Sequence, residues 1–233
     1  RILSEMQEAE NAIANQKNTT RGPVTLTCPV AFGNKFVAPI IPKFVEQNPD
    51  VQIRLHLSDR LLDLLQDKVD LAIRIAELKE SSLIVRKLAT NKRMLVASPD
   101  YLKKTGAPKV PADLLNHNCL LLRFPGSQQY QWTLQGPNDE PPVTLAVAGS
   151  MDSDNSEVLT RWCLDGHGIS LKSNWEVDEY LREGRLQRVL PDYQPPSHAV
   201  YTLYPENRYL PTRVRAFVDF LVAEFGGTPP WER

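Results

Sequence analysis

Cysteine is scarce in this sequence, and long apolar runs are absent. The 233 residues include three cysteines, an odd number without CxxC spacing, which argues against a disulfide framework and against a zinc site. No apolar stretch approaches the ~20 residues that a membrane helix needs, and no charged-then-apolar order at the start predicts a signal peptide. We therefore expect a cytoplasmic protein that binds no metal and contacts no membrane.

An excess of charge of either sign is also missing. Lysine and arginine number 27 against 28 for aspartate and glutamate, which gives a net charge of -1. Such a chain offers no basic field to attract nucleic acid, so we do not expect it to contact DNA itself. The sequence begins at Arg1 rather than at a methionine, and we expect a further segment upstream.

The motifs of common catalytic sites are missing as well. There is no GxSxG, no P-loop and no complete GxGxxG. Cys163 and His167 stand four residues apart, but two possible ligands are too few for a metal site. We therefore predict no catalytic residue, no metal ligand and no cofactor.

Two kinds of hydrophobic periodicity alternate in the first part of the chain. Residues 1–18 have apolar positions at helical spacing, as in an amphipathic tail or in the end of a linker or dimerisation helix. Gly22 and Pro23 then interrupt the helix. Strand patterns at 24–30, 51–57 and 69–75 enclose helical patterns near 39–47 and 61–65. This order predicts parallel strands in a doubly wound α/β sheet.

A second α/β unit follows. Its strands are predicted at 94–97, 119–124, 131–134, 143–148, 169–171 and 186–190, and its helices at 155–164 and 175–183. The strand 199–204 and a final helix with an apolar stripe up to Phe225 then complete the pattern. We expect this last helix to return to the first unit.

Ligands of open parallel sheets bind beyond the carboxyl ends of the strands. Four predicted strand ends therefore hold candidate residues for a ligand site: Ala31, Phe32 and Gly33 after the first strand, Ser58 after the second, Arg74 in the third, and Ala97 and Ser98 after the first strand of the second unit. The guanidinium of Arg74 matches a carboxylate through two parallel hydrogen bonds. Its alternative partner is Glu77.

Several candidates have a structural alternative. Ser58 is either a helix cap or a ligand contact, and Phe32 is either a pocket wall or part of the core. The further candidates lie in the second unit and are Arg123, Phe124, Ser153 and Asp154. The alternative for Arg123 is a solvated or salt-bridged side chain, and the alternative for Ser153 and Asp154 is helix capping.

Seven short runs together resemble one family of proteins. They are GPVTL at 22–26, FVAPIIPKF at 36–44, NPDV at 48–51, LSD at 57–59, VDLAIRI at 69–75, ASPDYL at 97–102 and LQRVLPDY at 186–193. In this order and spacing they resemble the effector-binding domain of LysR-type transcriptional regulators, over roughly residues 21–225. Residues 1–18 are similar to the end of that family's linker helix.

The resemblance implies two Rossmann-like lobes with a central cleft, as in type 2 periplasmic binding proteins, preceded by a partial linker helix. It divides the chain into the linker end at 1–20, lobe I at 21–91 plus 199–225, lobe II at 92–198 and a C-terminal tail at 226–233. The winged helix-turn-helix of the family is absent. The sequence departs from the family at Ala76, where a glycine is common, and at 153–155, which affects the shape of the pocket.

The function implied is that of a bacterial regulator that senses a small organic or aromatic acid. The resemblance implies effector contacts from Ala31, Phe32, Ser58, Arg74, Ala97 and Ser98. It also implies homodimers or homotetramers, DNA binding through the absent domain, and contact with RNA polymerase as a further option. Two alternatives stay open: a periplasmic solute-binding protein of a transporter, and an enzyme on a similar scaffold.

Overall fold

A computed structural model describes residues 20–60, 64, 67–76, 83–123, 130–137, 141–205 and 210–232. The predicted linker helix, most of the predicted helix 61–65, Glu77 and Phe124 lie outside the described residues. The chain divides into two units, the first formed by residues up to Ala89 and from Ala199 onward, the second by Thr90–His198.

The described chain contains both β-strands and α-helices. The strands are β1 (Gly22–Cys28), β2 (Val51–Leu57), β3 (Leu71–Ala76), β4 (Leu83–Asn91), β5 (Arg93–Ala97), β6 (Cys119–Leu122), β7 (Gln131–Leu134), β8 (Val143–Ala146), β9 (Asp152–Ser153), β10 (Ile169–Ser173), β11 (Gln187–Val189) and β12 (His198–Pro205). The α-helices are α1 (Val30–Phe32), α2 (Ile41–Gln47), α3 (Pro99–Thr105), α4 (Ser156–Leu164), α5 (Asn174–Arg182) and α6 (Thr212–Phe225).

The first unit contains a sheet of five strands in the order β2-β1-β3-β12-β4. β1 pairs in parallel with both β2 and β3, as the alternation of strands and helices predicts, whereas β12 runs antiparallel to β3. Its core is built from the apolar stripe of α6, including Phe217, and from side chains such as Leu26, Phe44 and Ile73, all of which are buried.

The second unit has its own sheet, in the order β11-β5-β10-β6-β9, and a separate β7-β8 hairpin. β5 is antiparallel to both of its neighbours, β10 and β11, whereas β6 is parallel to β10 and β9. Apolar clusters cover both faces of this sheet, one around Leu114 and Trp132 and one around Leu159 and Val177. The described fold is therefore mixed α/β with two sheets.

Between β1 and α2 the chain forms an irregular helical segment. α1 continues into a π-helical turn, Gly33–Val37, and a 3-10 turn, Ala38–Ile40. A Cβ added to Gly33 would lie 2.2 Å from the Cδ2 atom of Leu57. The absence of a side chain at Gly33 thus lets this segment pack directly on the end of β2.

Candidate functional site

Hydrogen bonds hold the ends of β1 and β2 together in the first unit. The backbone N–H of Ser58 donates to the carbonyl of Cys28 at 2.8 Å, and the carboxylate of Asp59 accepts from the N–H of Val30 at 2.9 Å. The hydroxyl of Ser58 accepts from the N–H of Arg60 at 3.2 Å, which closes the turn after β2. Parallel pairing of β1 with β2 places these two ends at one edge of the sheet.

Arg74 extends from β3 into this arrangement. Its guanidinium donates to the carbonyl of Ile73 at 2.9 Å, to the hydroxyl of Thr27 at 3.2 Å and to the carbonyl of Arg60 at 3.3 Å. The side chain therefore links β3 to the end of β1 and to the turn after β2. The structure thus brings Ser58, Arg74 and the start of the Ala31 segment into one network.

The positive charge of Arg74 lies in an unusual environment. The residue is 7% exposed, and burial lowers its pKa, with smaller opposing effects from Cys28 and Asp59. All three acceptors of its hydrogen bonds are neutral, and no carboxylate of a described residue forms an ion pair with it. A guanidinium has more N–H donors than three hydrogen bonds use, and a buried charge is costly unless a counter-charge approaches it. An anion of suitable size would supply that charge.

Thr27 belongs to this network but was missed by the sequence analysis. The alternation along β1 predicts Thr27 on the exposed face of a strand buried on one side. That prediction is wrong, because both Thr27 and Cys28 are completely buried. A fully buried hydroxyl needs a hydrogen-bond partner, and Arg74 provides it.

The segment after β1 is anchored by aromatic packing. Phe32 is completely buried, and its ring centroid lies 5.3 Å from that of Phe36 and 5.6 Å from that of Phe225. The sequence left Phe32 as either a pocket wall or part of the core, and in the structure it is part of the core. Its neighbour Ala31 is partly exposed.

In the second unit, the predicted site residues occupy capping and strand positions. Ala97 is completely buried in the core around Leu114. Ser98 is 3% exposed and caps α3 by accepting from the N–H of Tyr101 at 3.3 Å. Its hydroxyl also lies 3.5 Å from where a Cβ of Gly166 would be, so this corner of the second unit is tightly packed.

Arg123 and Ser153 are neighbours across β6 and β9. The N–H of Arg123 donates to the carbonyl of Ser153 at 2.9 Å, and the guanidinium pairs with Asp152 at 3.1 Å on a half-exposed surface. The hydroxyl of Ser153 accepts from the N–H of Asn155, the residue that caps α4, while Asp154 is exposed. The polar run before α4 thus acts as a cap.

A buried lysine joins two helices of the second unit. Lys172 is 2% exposed, and its ammonium donates to the carbonyl of Ser156 at 2.6 Å, to the Ser156 hydroxyl at 2.8 Å and to Glu176 at 3.4 Å. The same Glu176 carboxylate accepts from the backbone N–H of Ser173 at 2.9 Å. The sequence analysis missed this network because Lys172 lies in a strand that was expected to end at Leu171.

Neither a metal site nor a membrane helix is found in the described parts of the chain. No group of three or more His, Cys, Asp and Glu residues there has a suitable arrangement for a metal ion. None of the helices described is long and apolar enough to span a bilayer.

Comparison with known proteins relates the chain to one family. The family model for the LysR substrate binding domain matches residues 17–226. The HTH-type transcriptional regulator DmlR of Escherichia coli K12 is 35% identical over 221 residues, which cover 95% of this chain and 71% of that protein.

Solved structures agree with the family match. The full-length Vibrio cholerae virulence activator AphB, a member of the LTTR protein family, is 28% identical with a TM-score of 0.76 over 96% of this chain and 75% of that chain. The regulatory domain of CrgA, a LysR-type transcriptional regulator from Neisseria meningitidis, is 30% identical with a TM-score of 0.74 over 88% of this chain and 100% of that chain.

Proposed function

The chain belongs to the LysR substrate binding domain family, and on that premise we propose that it binds a small organic acid whose carboxylate is held by Arg74. Its place in the family makes it the effector-binding domain of a transcriptional regulator. The relatives described above are regulators, which supports a role in sensing rather than in transport or catalysis.

The main support for a carboxylate effector is the buried guanidinium of Arg74, which forms no ion pair with a carboxylate of a described residue. Thr27 and the carbonyl of Arg60 fix its position, and a fixed guanidinium binds carboxylates better than a mobile one, because little conformational entropy is lost on binding. Ser58 and the turn at Ala31 and Gly33 are proposed to complete the contacts in the first unit. In the second unit, Ala97, Ser98, Arg123, Phe124, Ser153 and Asp154 stay predictions.

We further propose that effector binding acts by shifting populations between two arrangements of the domain, each with its own oligomer geometry. A ligand shifts such an equilibrium only by its difference in affinity for the two states. The relatives' designation as HTH-type regulators supports DNA binding through a domain that is not part of this chain, and a cytoplasmic dimer or tetramer follows from that role. Contact with RNA polymerase is a further part of this proposal.

Calorimetric titration with succinate, benzoate and gluconate tests the carboxylate site, because the three acids represent aliphatic, aromatic and sugar acids. For the acid that binds, Arg74→Ala should weaken binding about 10- to 100-fold, since hydrogen bonds to a charged group contribute ~1.5–3 kcal/mol. Arg74→Lys should restore only part of the affinity, because an ammonium lacks the planar fork.

Arg86→Ala is the matched control. Arg86 pairs with Asp219 on an exposed surface of the same unit, so its loss removes one arginine without touching the proposed site. Equal affinities for the native chain, the Arg86 variant and a folded Arg74→Ala variant would remove Arg74 from the site.

A further inference from the structure

The chain continues past α6 and folds back onto the first unit. Gly227 adopts a φ of 72°, a left-handed conformation that glycine adopts without strain, and Pro230–Glu232 form a 3-10 turn. The N–H of Glu232 donates to the carbonyl of Pro229 at 2.9 Å. We call residues 226–232 the C-terminal strap.

Trp231 is the residue that attaches this strap to the rest of the unit. Its ring centroid lies 5.1 Å from that of Phe36, 5.8 Å from that of Phe32 and 6.3 Å from that of Phe225. Centroid separations of ~4.5–7 Å are those of interacting aromatic pairs. Two of the three partners, Phe32 and Phe36, belong to the segment that follows β1.

The indole of Trp231 donates no hydrogen bond to any described residue. Its indole N–H is buried and has no acceptor among the described residues, and an unsatisfied buried donor opposes docking. The aromatic contacts are therefore what holds the Trp231 side chain in place. Substitution of Trp231 removes these contacts without removing a side-chain hydrogen bond to a described residue.

The segment that Trp231 contacts has an unusual local structure. Its π-helical turn, Gly33–Val37, belongs to a class of local structure that is rare and that is found frequently at functional sites. Phe32 lies between Ala31 and Gly33, two residues of the proposed effector site, and is in contact with Trp231 on one side and Phe225 on another. Movement of the Phe32 ring would therefore shift both neighbours.

We propose that Trp231 is a positioning residue, which fixes the segment from Ala31 to Val37 in the conformation that the effector site requires. The family match ends at residue 226, the first residue of the strap. The part of the proposal that concerns the effector rests on the proposed function above.

Hydrogen–deuterium exchange of the whole chain tests the positioning role without any effector. In Trp231→Ala, the backbone amides of residues 31–37 should exchange at least about tenfold faster, whereas Trp231→Phe should restore most of the protection by keeping an aromatic ring. Phe217→Leu is the control, because Phe217 is equally part of the aromatic core but contacts Phe44 and Phe220 instead. If residues 31–37 exchange no faster in Trp231→Ala than in the control, the positioning role is wrong.

Titration of the same variants with succinate, benzoate and gluconate tests the link to the effector. For the acid that the native chain binds, Trp231→Ala should weaken binding by about three- to tenfold, with Trp231→Phe and Phe217→Leu close to the native affinity. Unchanged affinity in Trp231→Ala would refute the link. If the native chain binds none of the acids, the proposed function has failed, while the exchange experiment still decides whether Trp231 orders the segment.

Discussion

His198 illustrates how burial determines the protonation state of a single side chain. Its Nε2 atom lies 3.1 Å from the guanidinium of Arg93, which can only donate, so the imidazole accepts and must be neutral. Burial and, to a smaller extent, the charge of Arg93 lower the pKa of His198 from 6.5 to about 4. The neutral form is therefore the one compatible with the folded chain.

This shift predicts a loss of stability in acid. Between pH 6.5 and about 4 the unfolded chain binds a proton at His198 that the folded chain does not, so the free energy of unfolding falls as the pH decreases through this range. Urea unfolding at about pH 7 and about pH 4.5 should show a smaller pH dependence for His198→Gln than for the native chain.

His56→Gln provides the control for that experiment, because His56 is exposed on β2. In His198→Gln, the amide oxygen of the new side chain can still accept from Arg93, so folding at neutral pH should be preserved. An identical loss of stability in acid for the native chain and for His198→Gln would show that other groups are responsible.

Residue by residue, the sequence identified Arg74 as a candidate anion ligand but not its neighbours. A charged residue in an apolar strand is conspicuous, and its chemistry is readable from its type. Thr27 carried no comparable signal, because a threonine in a strand fits an exposed face as well as a buried one. Its role depends on β3 lying beside β1, and long-range pairing is not encoded in local periodicity.

At the scale of elements, the Lys172 network connects β10 to the first turns of α4 and α5. Ser156 begins α4, while Glu176 belongs to the first turn of α5 and forms a capping box with Ser173. A negative charge at a helix N-terminus is favourable. One carboxylate thus serves the cap of α5 and the buried ammonium together.

Removing only one charged partner of this network should lower the free energy of unfolding. Lys172→Met leaves the Glu176 carboxylate buried without its ammonium partner, and we expect a loss of ~3 kcal/mol in the free energy of unfolding, as for other half-broken buried pairs. The double variant Lys172→Met with Glu176→Gln should recover part of that loss, because no unpaired charge remains. Urea unfolding of both single variants and the double variant gives the coupling energy. Additive effects would contradict the proposed coupling.

Several element boundaries followed from periodicity alone. The predicted strands at 51–57 and 131–134 are confirmed to the residue, and the last helix is confirmed as α6. β4 was not predicted as a strand, because its first half, with Ile84, Arg86 and Lys87, is largely exposed. The antiparallel direction of β12 could not be predicted, since strand direction depends on where the chain returns to the sheet.

At the scale of the whole molecule, the reactivity of the three cysteines can be used to follow the unfolding of each unit separately. Cys28 lies in the first unit, and Cys119 and Cys163 lie in the second. All three are completely buried, and burial raises the pKa of Cys28 strongly and those of Cys119 and Cys163 to about 12. Since the thiolate is the reactive form, none of the three should react in the folded chain.

Thiol labelling with Ellman's reagent at about pH 8 should therefore detect close to no reactive cysteine in native buffer and all of them in concentrated urea. In a Leu114→Ala variant, which creates a cavity in the second unit and costs ~2–5 kcal/mol, Cys119 and Cys163 should become labelled at lower urea than Cys28. Mass spectrometry of the labelled peptides separates the sites. Simultaneous labelling of all three cysteines would mean that the units unfold as one.

The order of strands in the first sheet has a consequence for how the chain is made. β12 lies between β3 and β4, yet residues 92–197, nearly all of the second unit, separate it from β4 in sequence. During synthesis on the ribosome, β12 therefore emerges only after the second unit, so the first sheet lacks the strand between β3 and β4 until then. The part translated first is the part completed last, so the second unit can fold during translation while β3 and β4 still lack the strand that joins them.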